Sequence, residues 1–326
     1  MKKIISVISC ALALSSCYQD IDLSQYQESP VVVLNCLANS DTTLLADIST
    51  TWPYTDSKKS DDMMGLDVEM TVNGESKGLM TYSDGMYRSD VHPQPGDHIM
   101  FKTMVEGVEL SASDVMPERP EIVKTEITHR RVASSGSILT DPSGKITKSN
   151  YDDEFTYHIT IKNDPTVRRY YFLRFKEADF RQIMGDVNYS YDPVFQATLE
   201  QITQNLDNLN IVSHYGLPFT NEGMVGEDYT LTVKETGPPF DYNGNSLAGS
   251  DRVIILYAIS EAYYKYMTTM MANDPDATWQ GKMTELGLAE PTKVYSNIRG
   301  GTGIMACIVP VSMRVTLMTD PLQGDL

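Results

Sequence analysis

Val31-Val32-Val33-Leu34-Asn35-Cys36-Leu37-Ala38 decides how the fold is read. Val32, Leu34 and Cys36 occupy alternate positions and so share one face, the period of a strand that buries one side. The same period recurs over residues 43–50, 66–72, 77–82, 86–90, 98–105 and 108–114, with turn chemistry between at Asn73-Gly74, Ser83-Asp84-Gly85 and Pro95-Gly96-Asp97. About seven short strands at this spacing predict a mostly β protein whose N-terminal unit, residues 30–118, is an immunoglobulin- or transthyretin-like β-sandwich. Met116-Pro117-Glu118-Arg119-Pro120 closes that unit, because the two prolines break a continuing ladder.

Residues 119–326 read as a second antiparallel β-sandwich with inserted helices. A strand over 121–129 precedes the polar stretch 133–152, which reads as a mobile loop or long hairpin. Strands 155–162 and 169–176 flank Asn163-Asp164-Pro165, chemistry that suits a hairpin turn. Asp192-Pro193 caps a predicted helix running to about Leu209, with Phe195, Leu199, Ile202 and Leu206 at helical spacing. Strands follow at 227–234 and 252–259. Ser260 then caps a helix to about Ala272 that carries Tyr263, Tyr266, Met267 and Met270 on one face. The stretch 294–316 passes through Gly300-Gly301-Thr302-Gly303 into two expected closing strands.

Upstream of the first strand, Lys2 and Lys3 precede an apolar run over 4–14 that ends in Leu14-Ser15-Ser16-Cys17. A run of ~10 apolar residues is too short to cross a ~30 Å bilayer, and the pattern is that of a secretory signal, residues 1–16. A cysteine directly after the small-residue site reads as a bacterial lipobox. Cys17 is therefore the expected lipidation site, with 17–29 as a polar lipidated tether that holds the exported chain to a bilayer. The net charge is −18, and without Lys2 and Lys3 there remain 24 basic against 44 acidic residues, a balance of −20. Such a charge argues against nucleic acid and against anionic lipid head groups as partners.

Of the four cysteines, Cys36 and Cys307 remain after export and lipidation. A bridge between them would close a loop worth ~5 kcal/mol in chain entropy, but Cys36 alternates with Val32 and Leu34, and Cys307 lies between Ala306 and Ile308, the settings of small buried hydrophobes. The five histidines, His92, His98, His129, His158 and His214, form no metal or catalytic spacing and read as structural or exposed. Asp152-Asp153-Glu154 offers adjacent carboxylates of a kind that acid-rich chains carry by chance. Asp241-Tyr242-Asn243-Gly244-Asn245 resembles the start of a calcium loop but places glycine early and Arg252 where the bidentate acid belongs, so a solvated turn is expected. The glycine turn at 300–303 lacks a following helix and an attached Lys-Ser or Lys-Thr pair, which favours positive φ over a phosphate cradle. Met63-Met64 and Met267, Met270 and Met271 read as packing rather than copper ligands. No catalytic residue, metal or cofactor is expected. Nineteen tyrosines against two tryptophans suggest amphipathic contact area, and Trp52-Pro53-Tyr54 nominates Trp52 and Tyr54 as exposed binding residues.

Several pieces carry a resemblance. Asp84-Gly85-Met86-Tyr87 followed by Pro95-Gly96-Asp97-His98 is similar to carboxypeptidase-regulatory-type sandwich modules of exported bacterial proteins. Acidic residues behind Cys17, in Gln19-Asp20-Ile21-Asp22, resemble the surface-export signal of Bacteroidota lipoproteins. Together with Ile259-Ser260-Glu261-Ala262-Tyr263-Tyr264-Lys265-Tyr266 and Tyr295-Ser296-Asn297-Ile298-Arg299-Gly300-Gly301-Thr302-Gly303-Ile304, they make nearly the whole mature chain resemble the lipoproteins called domain of unknown function 4249. Met305-Ala306-Cys307 departs from the aromatic and small residue usual after the glycine turn. The resemblance implies a lipid-anchored outer-membrane or cell-surface lipoprotein, of a kind often found beside TonB-dependent importers of the SusC/SusD type. It brings no reaction and no binding residues. The expected role is a non-enzymatic accessory that binds a glycan or peptide for the importer, with a surface adhesin or fimbria-related subunit as the alternative and a hydrolase as a third class.

Overall fold

Strand alternation is realised in the first element. In the computed structural model, β1 (Val32–Asn39) buries Leu34, Cys36 and Ala38 and turns Asn35 and Leu37 to solvent. The structure describes residues 29–52, 63–134, 138–140, 143, 146–148, 151–179, 184–203, 216–239, 246–276 and 278–319. The expected signal peptide and tether with Cys17, together with Tyr54, Leu206, His214 and the stretch 241–245, lie outside them.

The N-terminal segment continues through β2 (Leu44–Thr50), β3 (Glu69–Val72), β4 (Glu75–Leu79), β5 (Thr81–Ser83), β6 (Met86–Ser89), β7 (His98–Val105) and β8 (Val108–Val115). Tight turns are set by pairs with positive φ, Asn73-Gly74 (53° and 80°), Asp84-Gly85 (51° and 79°) and Glu106-Gly107 (50° and 84°), the conformation that matches hairpin twist. The strand expected over 77–82 is instead two strands in different sheets. Met80, buried and bonded through its N–H to the Val68 carbonyl, marks the crossing between them.

Next come β9 (Ile122–Ala133), β10 (Ile138–Thr140), β11 (Ile146–Lys148), β12 (Tyr151–Lys162), β13 (Tyr170–Glu177) and β14 (Asp186–Asn188). The chain then forms α1 (Pro193–Thr203), β15 (Leu217–Thr220), β16 (Asp228–Gly237), β17 (Asp251–Ile259), α2 (Glu261–Met271), α3 (Trp279–Glu285) and β18 (Thr302–Thr316). β10 and β11 pair as a hairpin within the polar stretch. Strands β12 and β13, expected to form a hairpin, lie in different sheets. The Asn163-Asp164-Pro165 turn carries the chain from one to the other, pinned by Asn221 Nδ2, which donates to the Asp164 and Val167 carbonyls at 3.1 and 2.8 Å.

Eight strands form one sheet in the order β15-β13-β17-β18-β1-β2-β6-β5, and two four-stranded sheets, β4-β3-β7-β8 and β14-β16-β12-β9, complete the sandwiches. The stretch expected to give two closing strands gives one of 15 residues. Its first half runs parallel to β1, from Val33 opposite Thr302 to Asn39 opposite Ile308, and its second half antiparallel to β17. Pro310 falls just past the end of the β1 pairing, where a missing N–H costs no ladder bond. The interior is continuous, from Leu34 and Phe101 in the first segment through Met305 and Cys307 to Leu256 and Phe155 in the second. Aromatic rings bridge the second sandwich, Tyr157 to Phe175 at 4.8 Å, and reach α1 and β15 through Tyr189, Phe195 and Phe219.

Helix α2 begins at Ser260, whose Oγ accepts the Tyr263 N–H at 3.3 Å, and packs Met267 on the outer face of the large sheet with Phe172, Ile259 and Ile308. Met270, expected on that face, is 40% exposed, and Met271 takes the packed position one residue on. Cys36 and Cys307 are free and buried, and burial pushes the Cys36 thiol up to about 12.

Glycine is required where β18 enters. A Cβ on Gly300 (φ 76°) would lie 2.2 Å from the Glu109 carbonyl oxygen, and one on Gly303 (φ 105°) 2.2 Å from that of Leu34. Gly303→Val is expected to lower the melting temperature by about 10 °C or prevent folding. Gly249→Ala, at φ 81° with nothing within 4 Å, should cost only ~1 kcal/mol by the same melt. In a variant lacking Cys10 and Cys17, both remaining thiols should resist iodoacetamide at pH 8 in the native state and both react in denaturant without reductant, as counted by mass spectrometry.

Candidate functional site

The prolines that end β8 turn the chain past the start of β13 and the N-terminus of α2, leaving a cleft of about 440 Å³ where the two sandwiches meet. Met116, Pro117 and Glu118 line it from the linker, Arg168, Arg169 and Tyr170 from the approach to β13, and Ile259, Ser260 and Glu261 from the junction of β17 and α2. The linker is itself anchored. Arg119 donates to Asp41 Oδ1 at 2.7 Å and to the Pro310 carbonyl at 2.8 Å, tying it to the large sheet.

Most polar groups of the cleft are engaged by the fold. Asp114 Oδ2 accepts the Cys307 N–H at 3.0 Å and Oδ1 that of Val115 at 2.9 Å, while burial holds the carboxyl above the usual carboxylate range. Ser260 Oγ also accepts from Cys307 N at 3.3 Å, so its hydroxyl holds strand and helix together. Glu261 pairs with Lys265 at 2.8 Å, and that hydrogen bond is the main cause of its lowered pKa. Arg168 pairs with Glu222 at 2.9 Å and lies 5.7 Å from the Tyr170 ring centre. The side chains of Arg169 and Glu118 make no ion pair or hydrogen bond among the described residues.

Tyrosines extend the site along α2. Tyr170 lies 5.3 Å from Tyr264, Tyr263 and Tyr266 are near-parallel at 6.4 Å, and Lys265 lies 5.6 Å from the Tyr295 ring centre. A second, more open cleft of about 600 Å³ follows, lined by Thr269, Lys293, Tyr295, Ser296 and Thr302. The band is half-buried rather than free, resting on Phe172, Ile259, Met267 and Ile308.

Trp52 is 51% exposed just beyond β2 and does not line either cleft. Its neighbour Tyr54, like Cys17, lies outside the described residues. His129 is buried, bonded through Nε2 to Asp153 Oδ1 at 2.8 Å and packed on Phe155, and Glu154 accepts from Arg130 at 2.6 Å and Lys234 at 3.1 Å. Those acids, adjacent in sequence, thus point to opposite faces of β12. Among the described residues no group of three His, Cys, Asp or Glu is placed to hold a metal, and no helix is long and apolar enough to cross a membrane. Sequence reasoning marked the tyrosines of α2 but not the cleft. Glu118, Arg169 and Glu261 are far apart in the chain and share no motif.

Arg252, read from sequence as the misfit in a calcium loop, is wholly buried. Its Nη2 donates to Glu235 Oε1 at 2.7 Å, and the Tyr157 hydroxyl and the Gly185 N–H (2.8 Å) complete the carboxylate's shell. Tyr157 is held well above the ordinary tyrosine range by burial first and by Glu235 second.

Comparison with known proteins matches residues 18–314 to the family model described as Domain of unknown function (DUF4249). No curated protein matches the chain. Crystal structures of a glycosyl hydrolase family 2 member from Bacteroides cellulosilyticus align at 10% identity with a TM-score of 0.19 (strain DSM 14838) and at 12% with 0.18. Each alignment covers 74% of this chain and 28% of that one, so the chain spans under a third of that enzyme. At such TM-scores the likeness carries no argument.

Breaking the buried pair from one side leaves an uncompensated charge. Arg252→Met is expected to cost ~3–5 kcal/mol in urea unfolding, against less than ~1 kcal/mol for Lys282→Met, whose pair with Glu285 is exposed.

Proposed function

Given that this chain belongs to the DUF4249 family, a domain of unknown function, we propose that it is an outer-membrane lipoprotein that binds rather than transforms its ligand, as an accessory to a TonB-dependent importer of the SusC/SusD type. One observation carries the binding reading: the cleft between the sandwiches, whose hydroxyl and acids are largely spent on holding strands and helix together. Ser260 is held as part of the fold: its Oγ accepts the Tyr263 and Cys307 backbone N–H groups and hydrogen-bonds the Asp114 carboxyl, which the Cys307 and Val115 amides also hold. What stays uncommitted, Arg169, Glu118 and the tyrosine edges, is suited to recognition. Concave sites between packed units, mostly apolar with a few placed polar groups, are where small ligands bind.

The lipid supplies the rest of the reading. A chain of ~15 residues between Cys17 and Val32 reaches at most ~50 Å, which keeps the sandwiches beside whatever shares the membrane. That confinement raises effective concentration, so weak contacts with an importer suffice. Strand exchange of the fimbrial kind fits less well. The first strand, β1, has partners on both sides, β18 and β2, so withdrawing it would split the large sheet.

Cys17→Ala should leave the fold intact and move the protein out of the membrane fraction; its persistence there after a carbonate wash sinks the anchor. Mild-detergent pull-down of the native protein should recover a β-barrel transporter, and recovery of homopolymers instead would favour the adhesin.

A further inference from the structure

We infer that the cleft between the sandwiches takes a short peptide by its two free ends, the carboxylate at Arg169 and the amine at Glu118. The inference rests on the binding reading and narrows its ligand class. Its warrant is the charge that the fold leaves over. Arg168 is neutralised by Glu222, Glu261 by Lys265, and Asp114 is satisfied by the Cys307 and Val115 amides. Arg169 and Glu118 come from different elements, line one cleft and make no ion pair or side-chain hydrogen bond among the described residues, Arg169 feeling only the longer-range pull of Asp164. A guanidinium and a carboxylate lining one cleft beside apolar residues complement a zwitterion. A polyanion would meet Glu118, and a polycation would meet Arg169.

Both groups sit on fixed backbone. The Arg169 N–H donates to Asn221 Oδ1 at 2.9 Å, and the same asparagine clamps the turn before it. Glu118 lies between Pro117 and the anchored Arg119, so neither loses much chain freedom on binding. Val115, Met116 and Val167 add apolar lining for a central side chain. About 440 Å³ accommodates a di- or tripeptide but does not enclose a long polymer.

Calorimetric titration of the mature chain with the tripeptide Ala-Val-Ala, its N-acetyl form and its C-terminal amide tests this. The free peptide should bind, and blocking either end should weaken binding by about tenfold or more. Arg169→Gln should abolish the preference over the amide, and Glu118→Gln the preference over the acetyl form, each with an unchanged melting curve. Equal binding of free and blocked peptides, no binding of the free peptide, or variants that keep both preferences would overturn the inference. The blocked-peptide comparison stands without any variant. If a transporter co-purifies while the tripeptide fails to bind, the ligand assignment falls and the accessory role survives.

Discussion

The hydrogen-bonded seam between the first strand and the last is the constraint on which the architecture depends. Because β18 lies between β1 and β17, the two halves of the chain share one eight-stranded sheet and one interior instead of meeting as separate bodies. The seam demands close backbone approach. Gly300, Gly301 and Gly303 sit where any Cβ would strike the carbonyls of Glu109, Val32 and Leu34, and Asn297 reaches across to Met305, accepting its N–H at 2.9 Å and donating to its carbonyl at 2.7 Å. The run from Tyr295 to Ile304 thus has a structural explanation: it threads a strand between two sheets, as the Ser111–Arg299 bridge confirms.

The cleft is a by-product of that seam. Sharing a sheet fixes where β8 ends relative to β13 and α2, and the proline-containing linker cannot fill the space between them. Around it, Asp114 and Ser260 both serve the backbone of Cys307, so strand and helix N-terminus are locked to the same residue. Electrostatics then sorts the side chains into those the fold consumes and those it leaves facing solvent. The Glu235–Arg252 pair is the extreme of the first kind: burying two charges is worthwhile only because the Tyr157 hydroxyl and a backbone amide complete the shell.

Much of the local structure was legible. Period-two burial of Leu34, Cys36 and Ala38, the positive-φ turns at Asn73 and Asp84, and the Ser260 cap all follow from short-range chemistry that a sequence displays. What escaped was long-range. Asn163-Asp164-Pro165 has the composition of a hairpin turn, but composition does not say whether the next strand joins the same sheet or the opposite one. Residues 77–82 alternate as one strand, yet Met80 passes between sheets, and the 294–316 stretch, expected as two strands, gives one because Pro310 lies where the pairing with β1 has already ended. The cleft was invisible for the same reason, its charged residues being brought together only by the shared sheet.

That closure by the last strand also sets an order of events during folding. The polypeptide is made amino end first, so β1 emerges without its parallel neighbour and stays half-paired until some 270 further residues have followed. Contacts of such sequence separation form slowly, and an unpaired strand edge invites association with other chains in the meantime. A holding chaperone, or a delay of compaction until the last strand has emerged, is what this topology asks of the cell.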